Sequence, residues 1–177
     1  AIKSEIKNLL ASEEDKDGSL LLQGAPRIAK SRTYFDSKSK RALIEAQRDI
    51  INICSSNNGV WDKIKDHIKP EDFFDIYRRL AEIIFSLCEK REPVFPGEVL
   101  NHFEEPSEHQ QIAEVFASAS EYETFKDLEK ALNDDIKVIK RAKIDAEAES
   151  PSSVDEIFNL NKERTRLEAL YITLSDG

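Results

Sequence analysis

Apolar residues recur every three or four positions along most of this chain, the spacing that lines one face of an α-helix. Leu43, Ala46/Gln47, Ile50 and Cys54 mark a first stripe, closed by SSNNG (55–59), a sequence that stops helices well. Val60, Ile64 and Ile68 stripe a short second helix, with Trp61 beside them. Pro70 then opens a third, where Phe73, Ile76/Tyr77, Leu80, Ile83/Ile84 and Leu87/Cys88 repeat until Pro93 forbids a helix interior. Pro96 suits the first position of a further helix, GEVLNHF (97–103). SEHQ (107–110) matches a capping box, Ser107 and Gln110 closing on each other ahead of Ile112, Val115 and Phe116.

The longest run has Phe125, Leu128, Leu132, Ile136, Ile139 and Ala142 on one seam, from about Tyr122 to Glu149, without Gly or Pro. Pro151 stops it. SVDE (153–156) is another capping box, with Asp155 and Glu156 at the positive end of the helix dipole. Behind it Ile157, Leu160, Arg164, Leu167, Tyr171 and Leu174 continue at spacings of three and four, so this helix is expected to reach Leu174. No βαβ unit, repeat or strand pair is visible. The pattern predicts an all-α protein, a helical bundle followed by a C-terminal antiparallel helical hairpin. Residues 1–38 read as the end of an upstream helix (Ile2, Ile6, Leu9/Leu10) and a linker, 39–132 as the bundle, and 133–177 as the hairpin.

Composition narrows the chemistry. A formal net charge of −9 weighs against nucleic acid as a main partner, because phosphate binding needs a basic footprint. No apolar run approaches the ~20 residues that span a bilayer, and no signal-peptide pattern is present, so the expected setting is the cytoplasm. The chain holds no Met and begins at Ala1, which reads as part of a longer protein. Cys54 and Cys88 sit on apolar stripes without partners at ligand spacing, the mark of small buried hydrophobes.

Catalytic signatures do not assemble. His67, His102 and His109 are scattered and form no HExxH, so they read as solvated or capping side chains. Neither GxxxxGK[ST] nor GxGxxG occurs to cradle a phosphate, and no nucleophile elbow is present. The acidic runs EED (13–15), NDD (133–135) and DAEAE (145–149) read as solvated helix surface, since consecutive residues spread round a helix. Catalysis, cofactors and metals are therefore not expected of these residues.

Four stretches together resemble the C-terminal helicase-binding domain of bacterial DnaG-type primases. They are ALIEAQRDIINICSSNNGVWDKI (42–64), FFDIYRRLAEIIFSLCEKREPVFPGEVLNHF (73–103), YETFKDLEKALNDDIKVIKRA (122–142) and SSVDEIFNLNKERTRLE (152–168). GEVLNHF after the core helix and EIFNLNKE (156–163) in the last helix are the motif-like parts. The segment EALYITLSDG (168–177) departs from the family pattern. The resemblance implies a non-catalytic module of a DNA primase. Such a module binds the N-terminal domain of the replicative DnaB-type hexameric helicase, recruits primase to it and modulates its activity during DNA replication. The parent would be a DNA-directed RNA polymerase.

The resemblance also implies Asn161, Lys162 and Arg166 as helicase contacts, and Thr165 stands among them. Phe158 lies off the 157/160/164/167 seam, free either to pack on the bundle or to meet a partner. Phe158, Asn161, Lys162, Thr165 and Arg166 form the candidate partner-binding set. Two other readings remain at this stage: the N-terminal domain of the helicase itself, and a generic helical adaptor. A di-metal enzyme would need paired ExxH motifs on facing helices, and no Glu here has His three residues later.

Overall fold

The stripes from Leu43 to Ala142 become the buried edges of helices. The computed structural model describes residues 37–118 and 121–174. These form seven α-helices and, among the described residues, no strand. The helices are α1 (Ser37–Ser56), α2 (Asn58–Ile64), α3 (Ile76–Lys90), α4 (Pro96–Leu100), α5 (Pro106–Ala117), α6 (Phe125–Ala148) and α7 (Val154–Ala169), with a one-turn 3₁₀ helix at Pro70–Asp72. The chain divides at Lys40 into two units. Of the first, only Ser37–Lys40, the opening turn of α1, is described; the second, Arg41–Gly177, holds every contact below. The Ile2/Ile6 stripe and the linker reading fall outside the described residues.

Leu43, Ala46, Ile50 and Cys54 are all buried on α1, as are Leu80, Ile84 and Cys88 on α3. Ile112 and Val115 of α5 and Leu132, Ile136 and Ile139 of α6 complete the core. Trp61 stacks on Phe85 with centroids 4.5 Å apart, and Phe73 meets Phe85 edge-on at 5.6 Å. The indole N–H of Trp61 is satisfied by Glu89 Oε2 at 3.0 Å. Asn52 ties α1 to α5 through the Val115 carbonyl at 2.7 Å.

Four local features differ from the sequence pattern. Pro70 opens only the 3₁₀ turn, and the third α-helix starts at Ile76. The backbone stays extended at Phe73, which is buried, and Asp75 takes φ 52°. Fully buried Gln47 accepts from the Phe74 N–H at 2.7 Å, satisfying a donor that the broken helix leaves unpaired. Ser107 is not the cap of α5. Glu105 is, and its backbone N–H donates to Glu108 Oε2 at 3.3 Å. Pro106 occupies the first turn, where a missing N–H costs nothing.

The third difference is at Phe125 and Ile157, both expected on seams and both exposed, at 54% and 45%. Phe125 is the first residue of α6, before its buried stripe begins. Beyond Ile144, α6 offers Ile157 only Ala146, Ala148 and carboxylates, so no large apolar partner stands opposite. The fourth is the end of α7. It stops at Ala169, five residues short of Leu174, and the chain then runs extended from Leu170. Tyr171 is exposed while Ile172 and Leu174 are buried, so the three-and-four seam gives way to an alternation of two.

Helices α6 and α7 nonetheless pack on each other as a pair, joined across Glu149–Ser153. Position 132/133 lies inside α6, which runs unbroken from Phe125 to Ala148.

Candidate docking face

Helix α7 is held from one side. Its start is fixed by Ser153, whose side chain accepts from the Glu156 N–H at 3.2 Å. The Glu156 carboxylate reaches back one residue further than a capping box, to the Ser152 N–H at 2.6 Å and to its hydroxyl. Those Ser152 bonds favour the ionised form and hold Glu156 below its usual range. Leu160 and Leu167 are buried against Ile144 of α6, with Ala148 and Leu170 packed alongside. Arg164 pairs with Asp145 at 2.9 Å, and Arg141 with Glu168, on the flanks of this seam.

Successive residues turn by about 100° round a helix, which places Phe158, Asn161, Lys162 and Thr165 opposite Leu160 and Leu167. All four are exposed. Phe158 is 63% exposed and does not pack on the bundle. The Lys162 ammonium sits 5.5 Å from its ring centroid, within cation–π range. Thr165 donates its hydroxyl to the Asn161 backbone carbonyl at 3.1 Å, and Asn161 itself is exposed. Val154, 81% exposed, and Ile157 extend the same surface. Neither belonged to the candidate set. The signal for Val154 was its place at the first turn of the helix, ahead of any seam partner.

Arg166 is exposed as well, one turn beyond Lys162 and rotated about 40° further towards the flank of the helix. It lines a cleft of about 580 Å³ between residues 66–72, α6 and α7, with His67, Asp72, Lys140, Lys143 and Glu163. Cations and carboxylates alternate there. Asp72 is buried, bonded to Lys143 at 3.1 Å and facing Lys140 at 3.4 Å, so both lysines are already partly neutralised. The cleft has no cationic excess to favour an anion. A smaller groove of about 380 Å³, lined by Ile83, Leu87, Phe95 and Val99, lies between α3 and α4.

The NDD run is not simply solvated surface. Asn133 is buried, and Asp135 has one carboxylate oxygen buried without a hydrogen-bond partner. Burial pushes the Asp135 carboxyl up to about 8, with the charges of Asp49 and Asp134 adding to it. Sequence spacing hides this because Asp49 is on α1. Among the described residues no group of three or more His, Cys, Asp and Glu could hold a metal ion. His109 meets the Phe103 carbonyl at 2.7 Å. No described helix is long and apolar enough to cross a membrane. In comparison with known proteins, no family model, no curated protein and no solved structure matches this chain.

Proposed function

We propose that this chain is a non-catalytic helicase-interaction module of a bacterial DNA primase, working in the cytoplasm, and that α7 is its docking element. The observation that carries the reading is the surface of Val154, Phe158 and Lys162, exposed on the side of α7 away from its buried seam, with exposed Ile157 on its flank. Apolar side chains clustered on one outward helix face are what a partner's groove takes up, with an aromatic residue as anchor. Asn161 and Thr165 supply the polar rim. The resemblance of 152–168 to the last helix of primase modules names the partner as the N-terminal domain of a replicative hexameric helicase.

Binding of the purified chain to such a domain tests the reading by titration calorimetry. Phe158→Ala is expected to weaken the complex at least tenfold, and Lys162→Ala less. A complex whose affinity ignores both changes places the interface elsewhere. No complex with any such helicase domain leaves a helical adaptor for a different protein as the reading.

A further inference from the structure

Beyond Ala169 the chain behaves as a bound ligand. Tyr171 and Thr173 point outwards while Ile172 and Leu174 are buried, in an extended segment laid along α6. A helix has no spare main-chain groups in its middle turns, so only side chains can pair with a peptide backbone there. Asn133 supplies both kinds. Its Oδ1 accepts from the Ile172 N–H at 2.7 Å, and its Nδ2 donates to the Ile172 carbonyl at 2.8 Å. One buried amide thus satisfies both polar groups of one residue, as a neighbouring strand would.

Glu129 stands one turn earlier on the same face of α6. One oxygen accepts from the Tyr171 hydroxyl at 2.6 Å, and the other from the Leu174 N–H at 2.9 Å. The four bonds fix the direction and register of the segment. They also define what fits. A residue at the Ile172 or Leu174 position must keep its N–H, which bars proline, and a hydroxyl-bearing aromatic is needed beside Glu129. Nothing in this recognition uses the covalent link through Leu170, which serves only to raise the local concentration of the segment. Once vacated, Glu129 and Asn133 can be hydrated, so opening exposes polar side chains as well as apolar ones.

We propose that α6 carries a peptide-binding groove, centred on Glu129 and Asn133, that accepts an extended Tyr-apolar-x-apolar segment from another chain, with residues 171–174 as its resident occupant. The groove is independent of the α7 docking face and of the identity of any helicase. Occupation from outside requires the resident to leave, so the intact chain binds such a segment weakly and a chain with a weakened resident binds it well.

The test uses the whole chain carrying Ile172→Ala and Leu174→Ala, with a capped synthetic peptide of residues 169–174 (ALYITL) as probe. The peptide is expected to bind the double variant at least tenfold more tightly than the unaltered chain, and the further change Asn133→Ala removes that gain. A helical double variant that does not bind the peptide, or that binds it equally well without Asn133, overturns the proposal. If the double variant does not fold, native-state hydrogen exchange on the unaltered chain decides. The amides of Ile172 and Leu174 are expected to exchange at least tenfold faster than those of Leu80 and Ile84. Equal rates would make the segment part of the global core and overturn the groove.

Discussion

Asp72 Oδ1 accepts a hydrogen bond from Lys143 Nζ at 3.1 Å, which joins the 3₁₀ turn ahead of α3 to the second half of α6. Its other oxygen accepts from the Lys69 N–H at 2.9 Å and faces Lys140 at 3.4 Å. A buried carboxylate with several partners contributes more than an exposed pair, because removing it strands donors that have lost their water. Asp72→Ala is expected to lower unfolding stability by about 1–3 kcal/mol in urea denaturation. Arg41→Ala breaks a pair whose side chains are 82% and 56% exposed, and is expected to change it by less than about 0.5 kcal/mol.

Asp135 gives a pH dependence of definite sign. Its folded-state pKa, about 8, lies above the ordinary 3.8, so folding favours the protonated form. Below the ordinary value both states carry the proton and nothing is lost. As pH rises from there towards about 8, the unfolded chain ionises first and stability drains away. Asp135→Asn is therefore expected to melt close to the unaltered protein at pH 4 and increasingly above it between pH 5 and pH 8. Asp49→Asn is expected to narrow that gap by removing a repelling charge. Parallel thermal melts across pH check both.

Leu80 is fully buried at the centre of α3. Leu80→Ala removes those contacts and leaves a void, and is expected to cost about 2–5 kcal/mol by denaturant unfolding. A cost below about 0.5 kcal/mol would contradict the burial of Leu80 in the core.

The two thiols are distant in sequence and neighbours in space, since Cys88 Sγ lies 3.4 Å from the Cys54 carbonyl oxygen. Burial pushes Cys88 up to about 11 and Cys54 well above its ordinary value. Only thiolates attack disulfides. Ellman's reagent at pH 8 is expected to leave both unlabelled in the folded chain and to label both in urea.

On α7, Phe158→Ala and Lys162→Ala are expected to shift unfolding stability by less than about 0.5 kcal/mol, because the side chains lie outside the seam. Deleting 150–177 is a poorer probe of docking than the point changes. It also strips Leu160, Leu167, Ile172 and Leu174 from α6, so lost binding would not separate contact from folding.

The helices were legible because burial here has the period of the helix itself: Leu43 to Cys54 and Leu80 to Cys88 could face one way only as helices. Breaks were less legible. Nothing in PEDFFD (70–75) says that Gln47, on another helix, will receive the Phe74 N–H and so permit the interruption. The segment after Ala169 misled because Leu167, Tyr171 and Leu174 fit a helical seam. Its competing signal was present in LYITL, aromatic and β-branched with an alternation of two. The five candidate docking residues all lie on the exposed side of α7 because their spacing fixed it. Arg166 also borders a cleft, and most of that cleft's other walls come from elements remote in sequence.

Helix α6 is unbroken over 24 residues, a rod of about 36 Å. Glu129 near one end grips the extended segment, Lys140 and Lys143 further along grip Asp72, and Ile144 meets α7. A stiff rod turns small rotations into large translations, so a tilt of about 5° at one end carries the other by roughly 3 Å over that length. Pivoted instead where Lys140 and Lys143 hold Asp72, the arm to Glu129 is about 16 Å, and the same tilt moves the grip on the extended segment by only roughly 1.5 Å.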